Sequence, residues 1–450
     1  MEKIELSKKL YIKTYGCQMN VYDSDNMKDL MATIGYQQTD EISDANMVII
    51  NTCHIREKAT DKLYSDLGRV RKVKNKFEEK TGDKMIVAVA GCVSQAEGDE
   101  IFRRSKIVDI VVGPESYQTL PDLVGRILRG QGKQIDLDFK PNNKFDILQE
   151  ARSTSQISNF ISVQEGCDKF CTFCVVPYTR GSEFSRNVED IYNEALTHAK
   201  NGTKEIYLLG QNVNAYHGLD KNAQSSNLAK LINKISEIGA IERIRYTTSH
   251  PRDMDDELIL CHGENPKLMP FLHLPVQSGS NNILQKMNRK HTRQDYFKII
   301  EKIRQKRPDI GLSSDFIVGF PGEKEQDFED TLDLIEKIGF SSCYSFKYSP
   351  RPGTVAADAL NFVDEDVKSQ RLQILQTLLN KQQIDFNQSF EGREMPILFD
   401  KKVNSKGQIM GKSPWLQSVI LEDFKEQYFG QVINVKIIKA RPNSLIAKTI

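Results

Sequence analysis

The chain has 450 residues, of which 39% are hydrophobic, and its formal net charge is +1. This length allows two or three globular domains, and the balanced charge excludes a chain-wide surface for polyanions, so any nucleic-acid surface must be local. The longest apolar runs are strand-sized, far below the roughly 20 residues that span a bilayer, and no signal-peptide pattern precedes the first strand. We therefore expect a cytoplasmic protein without a membrane segment.

The first third of the chain alternates strand-like with helix-compatible segments. Three of the strands end at a cysteine, namely "KLYIKTYGC" at Cys17, "NMVIINTC" at Cys53 and "MIVAVAGC" at Cys92, and a fourth strand, "IVDIVVGP", follows. The alternation predicts an α/β domain over 8–125 with a doubly wound parallel sheet. Because ligands of such sheets bind beyond the carboxyl ends of the strands, we expect the three cysteines to lie together.

Three thiolates favour iron-sulfur or zinc over harder ions. His54 could complete a zinc site with three cysteines and one histidine, although an adjacent residue on an extended chain usually points the other way. The plainer alternative is that each Gly-Cys pair is only a tight turn, which three instances at matched positions disfavour. Cys261 and Cys343 are interpreted as ordinary small buried or half-buried side chains.

The middle of the chain, over 150–383, carries six strand patterns separated by helical patterns. Six β/α units are two fewer than a closed eight-stranded barrel, so we predict an open (β/α)6 partial TIM barrel with its functional groups at the C-terminal mouth. Polar residues follow the strands at that mouth: Gln211, Asn212, Asn214, Thr248, Ser249, His250, Gln277, Ser278, Asp315, Lys347 and Arg351.

The segment "GCDKFCTFC" places Cys167, Cys171 and Cys174 close together without a fourth cysteine or histidine nearby. A structural metal site uses four protein ligands, and a 4Fe-4S cluster normally uses four thiolates. Three thiolates would leave one iron open to chelate a small molecule through an amine and a carboxylate. Three-cysteine loops also occur in ferredoxin-like electron carriers and zinc knuckles.

The CxxxCxxC spacing after the first strand of a β/α barrel resembles the signature of the radical S-adenosylmethionine enzymes. The resemblance implies that the open iron binds the methionine end of S-adenosylmethionine, which is then cleaved by electron transfer to a 5′-deoxyadenosyl radical. It also places Gly210 and Gln211, in "LLGQNVNAY", where the superfamily contacts the cofactor's amino group. Ser249 and Gln277 are further expected cofactor contacts.

Further motifs narrow the resemblance: "TYGCQMN", "NTCHIREKA", "AGCVSQAEG", "VVPYTRG", "TTSHPRD", "FLHLPVQSGS" and "SSDFIVGFPGE". Together they resemble the methylthiotransferases. This implies that Cys17, Cys53 and Cys92 hold an auxiliary 4Fe-4S cluster that carries sulfur, while the other trio holds the radical-generating 4Fe-4S cluster. Two molecules of S-adenosylmethionine would be used to add a methylthio group to carbon 2 of isopentenyladenosine at position 37 of tRNA, next to the anticodon. Expected partners are the anticodon stem-loop, an electron donor such as flavodoxin or ferredoxin, and a sulfur donor, and a monomer is expected.

The last segment, 384–450, changes to short strands with Asn and Gly turns, which predicts a small β-barrel that resembles a TRAM domain. An excess of basic residues there suits RNA phosphates, with a solvated face as the alternative. Trp415 is expected to stack on a base or to belong to the core. These basic residues include Lys401, Lys402, Lys406, Lys412, Lys436, Lys439 and Arg441.

Two rival functions stay open at this point. The cysteines could brace a non-catalytic iron-sulfur or zinc protein that binds RNA, which chelation would unfold. Sister methylthiotransferases act on a threonylcarbamoylated adenosine or on an aspartate of a ribosomal protein, but their first-cysteine motifs differ from "TYGCQMN".

Overall fold

The structure is a computed structural model that describes residues 8–54, 59–139, 145, 156–403, 408–422 and 425–450. The chain separates into two compact units. The first comprises the described residues of Met1–Thr154 with Glu165–Asp168 and Val175–Phe184, and the second comprises those of Ser155–Gln164, Lys169–Cys174 and Ser185–Ile450. No helix within these described ranges is long and apolar enough to cross a membrane.

The first unit is built on a six-stranded parallel sheet with the strand order β2-β1-β3-β4-β5-β6. The central strands β3 and β4 are buried at every position, which explains why they appear in the sequence as continuous apolar runs. The edge strands β2 and β6, of three residues each, were not predicted. The bounds are β1 Lys8–Thr14, β2 Tyr36–Gln38, β3 Met47–Thr52, β4 Ile86–Gly91, β5 Ile110–Val112 and β6 Gln134–Asp136.

Helices cover both faces of this sheet, which confirms the predicted doubly wound arrangement. Met47 and Ile49 of β3 pack with α1 and α5 on one face, whereas Val48 and Ile50 pack with α2 on the other. A short helix from further along the chain, α6, also belongs to this unit. The bounds are α1 Gln18–Ala32, α2 Ala59–Thr81, α3 Cys92–Glu97, α4 Glu100–Arg104, α5 Leu120–Leu128 and α6 Val176–Arg180.

Six parallel strands of the second unit form an open barrel, as predicted. They pair in two groups, β7-β10-β11 and β12-β13-β14, and a parallel bridge between Ile244 and Leu268 links the groups. The short strands β8 and β9 flank the cysteine loop in the sequence. The bounds are β7 Ser158–Ser162, β8 Gln164–Glu165, β9 Phe184–Ser185, β10 Glu205–Leu209, β11 Arg243–Tyr246, β12 Phe271–His273, β13 Gly311–Val318 and β14 Ser342–Lys347.

The longer barrel helices pack their apolar faces against these strands in one continuous core, and Ile283 of the short helix α10 belongs to a separate apolar cluster. Side chains of Asn227, Asp255, Ser280 and Thr292 cap four of the helices by accepting backbone N–H groups, which fixes where each helix begins. The helix α9, between β11 and β12, was not predicted. The bounds are α7 Val188–Lys200, α8 Leu228–Ser236, α9 Asp256–Glu264, α10 Asn281–Lys286, α11 Arg293–Lys306, α12 Glu325–Ile338 and α13 Glu365–Gln388.

The C-terminal strands close into a five-stranded barrel with the order β15-β16-β17-β19-β18, which confirms the predicted small β-barrel. Trp415 packs on Phe390 with ring centroids 4.7 Å apart, and its Nε1 donates to the Asp309 carbonyl at 2.6 Å. Its indole is therefore part of the packing, the second of the two expected roles. The bounds are β15 Glu394–Val403, β16 Gln408–Lys412, β17 Ser418–Leu421, β18 Val432–Arg441 and β19 Ser444–Thr449.

Candidate functional site

The first cysteine trio lies at the carboxyl ends of three adjacent strands of the first unit. Cys17 follows β1 and is the N-cap of α1, Cys53 follows β3 directly, and Cys92 follows β4 as the first residue of α3. The strands β1, β3 and β4 are neighbours in the sheet. The thiol of Cys53 hydrogen bonds with the thiols of Cys17 and Cys92, so the structure brings the predicted trio together.

A glycine makes this close approach sterically feasible. Gly16 has φ +131°, and a Cβ on it would lie 2.4 Å from the Cβ of Cys53 and 2.6 Å from Oδ1 of Asn20. Any larger residue would push the loop after β1 away from Cys53. The Gly-Cys pair is therefore a packing requirement of the trio.

Charge is distributed unevenly over the three thiols. Hydrogen bonding with Cys53 lowers the pKa of Cys17 to about 7 and that of Cys92 to about 6, and it raises the pKa of Cys53. The titration belongs to the trio as a whole, because the three groups share their protons. Thiolate is the form that binds metals. Within the described ranges no set of three or more His, Cys, Asp or Glu side chains is already spaced to hold a single metal ion.

A buried arginine lies beside this trio. The side chain of Arg180, the last residue of α6, is 3% exposed, and its Nη2 is 2.6 Å from Oδ2 of Asp23. Its Nη1 is 3.8 Å from Oε1 of Glu115 and 3.7 Å from Oε2 of Glu165, and each of these carboxylates is 1% exposed. The guanidinium also interacts with the thiol of Cys92, where it lowers the pKa. One buried cation thus faces three buried carboxylates beside the trio.

The sequence interpretation missed this cluster. In the sequence, Arg180 stands out only as part of the motif "VVPYTRG". A usable signal lay in α1, where Asn20, Asp23 and Ser24 are polar residues on the buried face of a helix that begins beside Cys17. Buried polar groups require partners, so this face pointed to a polar site rather than to a core.

The second trio lies on the loop after β8. Cys167 belongs to the first unit, where its backbone N–H donates to the Gly181 carbonyl at 3.2 Å. Cys171 and Cys174 belong to the second unit, and the N–H of Cys174 donates to the Cys171 carbonyl at 2.9 Å. All three side chains are partly exposed or half-buried.

Polar cross-links tie the second-unit part of this loop, Lys169–Cys174, to neighbouring strand ends. The ammonium of Lys169 is 2.8 Å from Oδ2 of Asp253, and the Asn212 amide donates to the same oxygen at 2.8 Å. Asn212 follows β10 and Asp253 follows β11. The predicted mouth residue Asn212 therefore positions the cysteine loop.

A second set of contacts comes from the segment after α10. The N–H of Thr172 donates to the Met287 carbonyl at 3.1 Å, and the Asn288 amide donates to the Phe170 carbonyl at 2.9 Å. Nη1 of Arg289 lies 3.5 Å from Sγ of Cys171, and Arg289 is only 5% exposed. The sequence interpretation assigned this segment, "KMNRK", no role.

Arg289 differs from Arg180 in its charge partners. Among the described residues it forms no ion pair, its Nη2 donates to the Pro275 carbonyl, and its Nε has no hydrogen-bond partner. The neighbouring His250 and His291 do not supply charge, because burial first and Arg289 second lower the pKa of both, that of His291 to about 4. A buried guanidinium without an ion-pair partner among the described residues therefore lies beside a cysteine sulfur. An anionic group bound there would neutralise its charge.

The four residues expected to contact a cofactor lie at the carboxyl ends of three consecutive barrel strands. Gly210 follows β10, and a Cβ there would lie 2.6 Å from Oε1 of Gln164 and 3.1 Å from Cα of Val213, so the turn into the half-buried Gln211 leaves little room for a side chain. Ser249, after β11, is 5% exposed, and its hydroxyl has no hydrogen-bond partner among the described residues. Gln277, after β12, has φ +78° and donates its N–H to the Asp315 carbonyl at 3.0 Å.

Two other predicted mouth residues are engaged in the fold. The Asn214 amide donates to the His250 carbonyl at 2.9 Å and accepts the N–H of His250 at 2.8 Å. Lys347 forms an ion pair with Glu365 of α13. Asn214 is thus engaged in the fold, whereas Lys347 remains partly exposed within its ion pair.

Family models match three parts of the chain. Residues 9–113 match the uncharacterized protein family UPF0004, residues 161–335 the Radical SAM superfamily, and residues 388–450 the TRAM domain. A protein of Rickettsia canadensis, named tRNA-2-methylthio-N(6)-dimethylallyladenosine synthase, is 57% identical over 440 residues, which cover 98% of this chain and 99% of that protein. One of the same name from Rickettsia felis is 57% identical over 445 residues, covering 99% and 100%.

Solved structures share the fold at low sequence identity. The cobalamin- and [4Fe-4S]-bound radical S-adenosylmethionine methyltransferase TsrM from Kitasatospora setae superposes with a TM-score of 0.57 at 12% identity, covering 78% of this chain and 77% of that one. The cobalamin-dependent S-adenosylmethionine radical enzyme OxsB, with aqua-cobalamin and S-adenosylmethionine bound, gives a TM-score of 0.51 at 13% identity, covering 82% and 56%. At this identity the likeness concerns the fold alone.

Proposed function

Because the chain belongs to the family of tRNA-2-methylthio-N(6)-dimethylallyladenosine synthases, we propose that it adds a methylthio group to carbon 2 of isopentenyladenosine at position 37 of tRNA. It is a transferase of the radical S-adenosylmethionine type, with two 4Fe-4S clusters and S-adenosylmethionine as cofactors. The observation that carries the proposal is the convergence of Cys17, Cys53 and Cys92 at one sheet edge, in a chain with a second trio on its barrel loop.

We assign each trio to one cluster. Cys17, Cys53 and Cys92 would hold the auxiliary cluster, and Cys167, Cys171 and Cys174 the radical-generating one. The donor sets fit, because each motif offers three soft sulfur ligands, and the buried charge of Arg289 beside Cys171, which has no ion-pair partner among the described residues, suits an anionic group. When bound, the clusters and S-adenosylmethionine supply the one-electron chemistry that an unactivated adenine C–H demands.

The chain's own residues position the reactants. The Lys169–Asp253–Asn212 contacts hold the cysteine loop against two strand ends, so that the loop keeps its shape before any cofactor binds. We propose that Gly210, Gln211, Ser249 and Gln277 contact S-adenosylmethionine. The buried Ser249 hydroxyl, without a partner among the described residues, gains a hydrogen bond when a polar ligand atom reaches it.

Several finer features belong to the same proposal. Two molecules of S-adenosylmethionine would be used per turnover, and Cys17, Cys53 and Cys92 would hold the cluster that would carry the transferred sulfur. The electrons come from a donor such as flavodoxin or ferredoxin, and the sulfur comes from a separate donor. The enzyme acts as a cytoplasmic monomer. The functional domains are 8–125, 150–383 and 384–450.

The C-terminal barrel is proposed to bind the tRNA backbone. Five of the seven basic residues predicted to suit phosphates are exposed on it, where their ammonium and guanidinium groups can reach a phosphate. Lys402 forms an ion pair with Glu426. Lys412 is half-buried and donates a hydrogen bond to the Ser418 hydroxyl. Lys406 lies outside the described residues. The exposed set is Lys401, Lys402, Lys436, Lys439 and Arg441.

The test uses the full chain reconstituted anaerobically with iron and sulfide, then supplied with S-adenosylmethionine, a reductant and isopentenylated tRNA. We expect methylthiolated nucleoside by mass spectrometry and 5′-deoxyadenosine by chromatography. Cys171→Ala should abolish both products, whereas Cys53→Ala should retain 5′-deoxyadenosine and lose methylthiolation. Cys261→Ala, which removes a buried cysteine from α9, is the matched control and should retain both.

Three results would reject the proposal. Stoichiometric zinc in place of iron would favour a structural role for the cysteines. Activity retained in Cys171→Ala would remove the radical assignment. A different modified nucleoside, or a modified ribosomal protein, would show that the chain has the activity of a sister methylthiotransferase instead.

A further inference from the structure

The segment 287–290 that contacts the cysteine loop is held in an unusual backbone conformation. Asn288 and Lys290 have φ +59° and +57° although neither is glycine, a left-handed conformation that costs free energy and persists only when the surroundings impose it. Asn288 returns a hydrogen bond to the Phe170 carbonyl of the loop. The conformation thus places the residue between them, Arg289, at the loop.

The position of Arg289 is that of a hydrogen-bond donor to a ligand sulfur. Its Nη1 is 3.5 Å from Sγ of Cys171, and its Nη2 is anchored on the Pro275 carbonyl, which fixes the plane of the guanidinium. Its burial removes it from water. A charge without water or a carboxylate partner is stabilised most by whichever bound species carries the greatest negative charge.

Reduction of a cluster adds one negative charge, and hydrogen bonds to its sulfurs favour the reduced form. On the basis of the proposed function, we propose that Arg289 is a positioning residue of the radical-generating cluster that raises its reduction potential through Cys171. The electron comes from an external low-potential one-electron donor, and no bond forms or breaks in this step. The role is separate from ligation, since Arg289 contributes no metal ligand.

The size of the effect follows from the contact. A charge-assisted hydrogen bond, lost without replacement, changes an equilibrium by about tenfold. For a one-electron couple, a tenfold change in the ratio of reduced to oxidised cluster corresponds to about 59 mV. The variant Arg289→Gln should therefore have a midpoint potential more negative by about that amount.

The experiment is an EPR-monitored potentiometric titration of the reconstituted full chain carrying Cys53→Ala, so that the radical-generating cluster dominates the signal. Arg289→Gln is compared with Arg289→Lys, which keeps the charge, and with Lys290→Gln, which removes an exposed charge from the next residue. Iron content and circular dichroism are measured first, and only preparations that match the parent enter the titration.

We expect the midpoint potential to fall in Arg289→Gln, to recover for the most part in Arg289→Lys, and to stay at the parent value in Lys290→Gln. Equal potentials in Arg289→Gln and Lys290→Gln would overturn the inference, as would a lysine variant no better than the glutamine variant. The proposed function is rejected by a different result, namely if the parent protein shows no EPR signal of a cluster that depends on Cys171.

Discussion

The two cysteine sites each have a buried arginine, but the electrostatic surroundings of the two arginines are opposite. Arg180, beside Cys92, faces three buried carboxylates. Arg289, beside Cys171, has no ion-pair partner in the described part of the chain. The first arginine neutralises charge that the protein itself buries, whereas the second holds a positive charge in reserve for a ligand. Two buried arginines beside cysteine thiols can therefore serve different ends, since one stabilises buried carboxylates and the other is proposed to favour a reduced cluster.

The largest expected effect comes from removing the neutralising arginine. Arg180→Met removes the buried guanidinium that Asp23, Glu115 and Glu165 face, and breaking such a cluster costs about 3–5 kcal/mol. Hydrogen–deuterium exchange of the β3 and β4 amides in the apo protein should report this loss within the first unit.

The matched control for that variant is Arg126→Met, which breaks a half-exposed ion pair with Asp122 and should cost about 1 kcal/mol or less. Adding Asp23→Asn to Arg180→Met should restore part of the lost protection, because it removes one of the buried carboxylates that lost the guanidinium. A loss in Arg180→Met no larger than in Arg126→Met would show that the carboxylates are neutralised in some other way.

The second expected effect is a pH dependence of the stability of the second unit. Six of the seven histidines belong to the second unit. His262 is fully buried there beside Tyr246, and burial, followed by Arg307, lowers its pKa to about 3. The unfolded chain binds a proton below about pH 6.5, while the folded chain does not. The contribution of neutral His262 to the free energy of unfolding is therefore fully present above pH 6.5. It is lost as the pH falls towards 3, and the loss is about 2 kcal/mol at pH 5.

His262→Gln, which keeps a hydrogen-bonding group for Tyr246, should remove that part of the acid sensitivity. The measurement is amide exchange of β11 at pH 7 and pH 5, with the exposed His217→Gln as the control for loss of a histidine. An unchanged pH dependence in His262→Gln would mean that another group carries the acid sensitivity of the second unit.

The sequence predicted the positions of the cysteines better than it predicted their electrostatic partners, and the reason is physical. Cys17, Cys53 and Cys92 each end an apolar strand, so the period of the pattern and the topology of a parallel sheet suffice to bring them together. The partners come from far along the chain, since 157 residues separate Arg180 from Asp23 and 118 separate Arg289 from Cys171. No local pattern encodes such a pairing.

Elements without a local signal were missed for a related reason. The edge strands β2 and β6 have three residues each, too few for a period. The helix α9 carries apolar residues on several faces, and Cys261 and His262 are buried in it. In both cases tertiary packing, rather than local preference, decides the structure.

The smallest expected effect tests the comparison most directly, because it uses the same substitution at the other arginine. Arg289→Met removes hydrogen bonds to the Pro275 carbonyl and to Cys171, but it also removes an unneutralised buried charge. These contributions oppose each other, so the apo protein should change in stability by at most about 1 kcal/mol. Thermal unfolding of the chelated protein, compared with Arg180→Met under the same conditions, measures the difference. If Arg289→Met were as destabilising as Arg180→Met, then Arg289 would already have an anionic partner in the apo protein, and its charge would not be held for the ligand of Cys171.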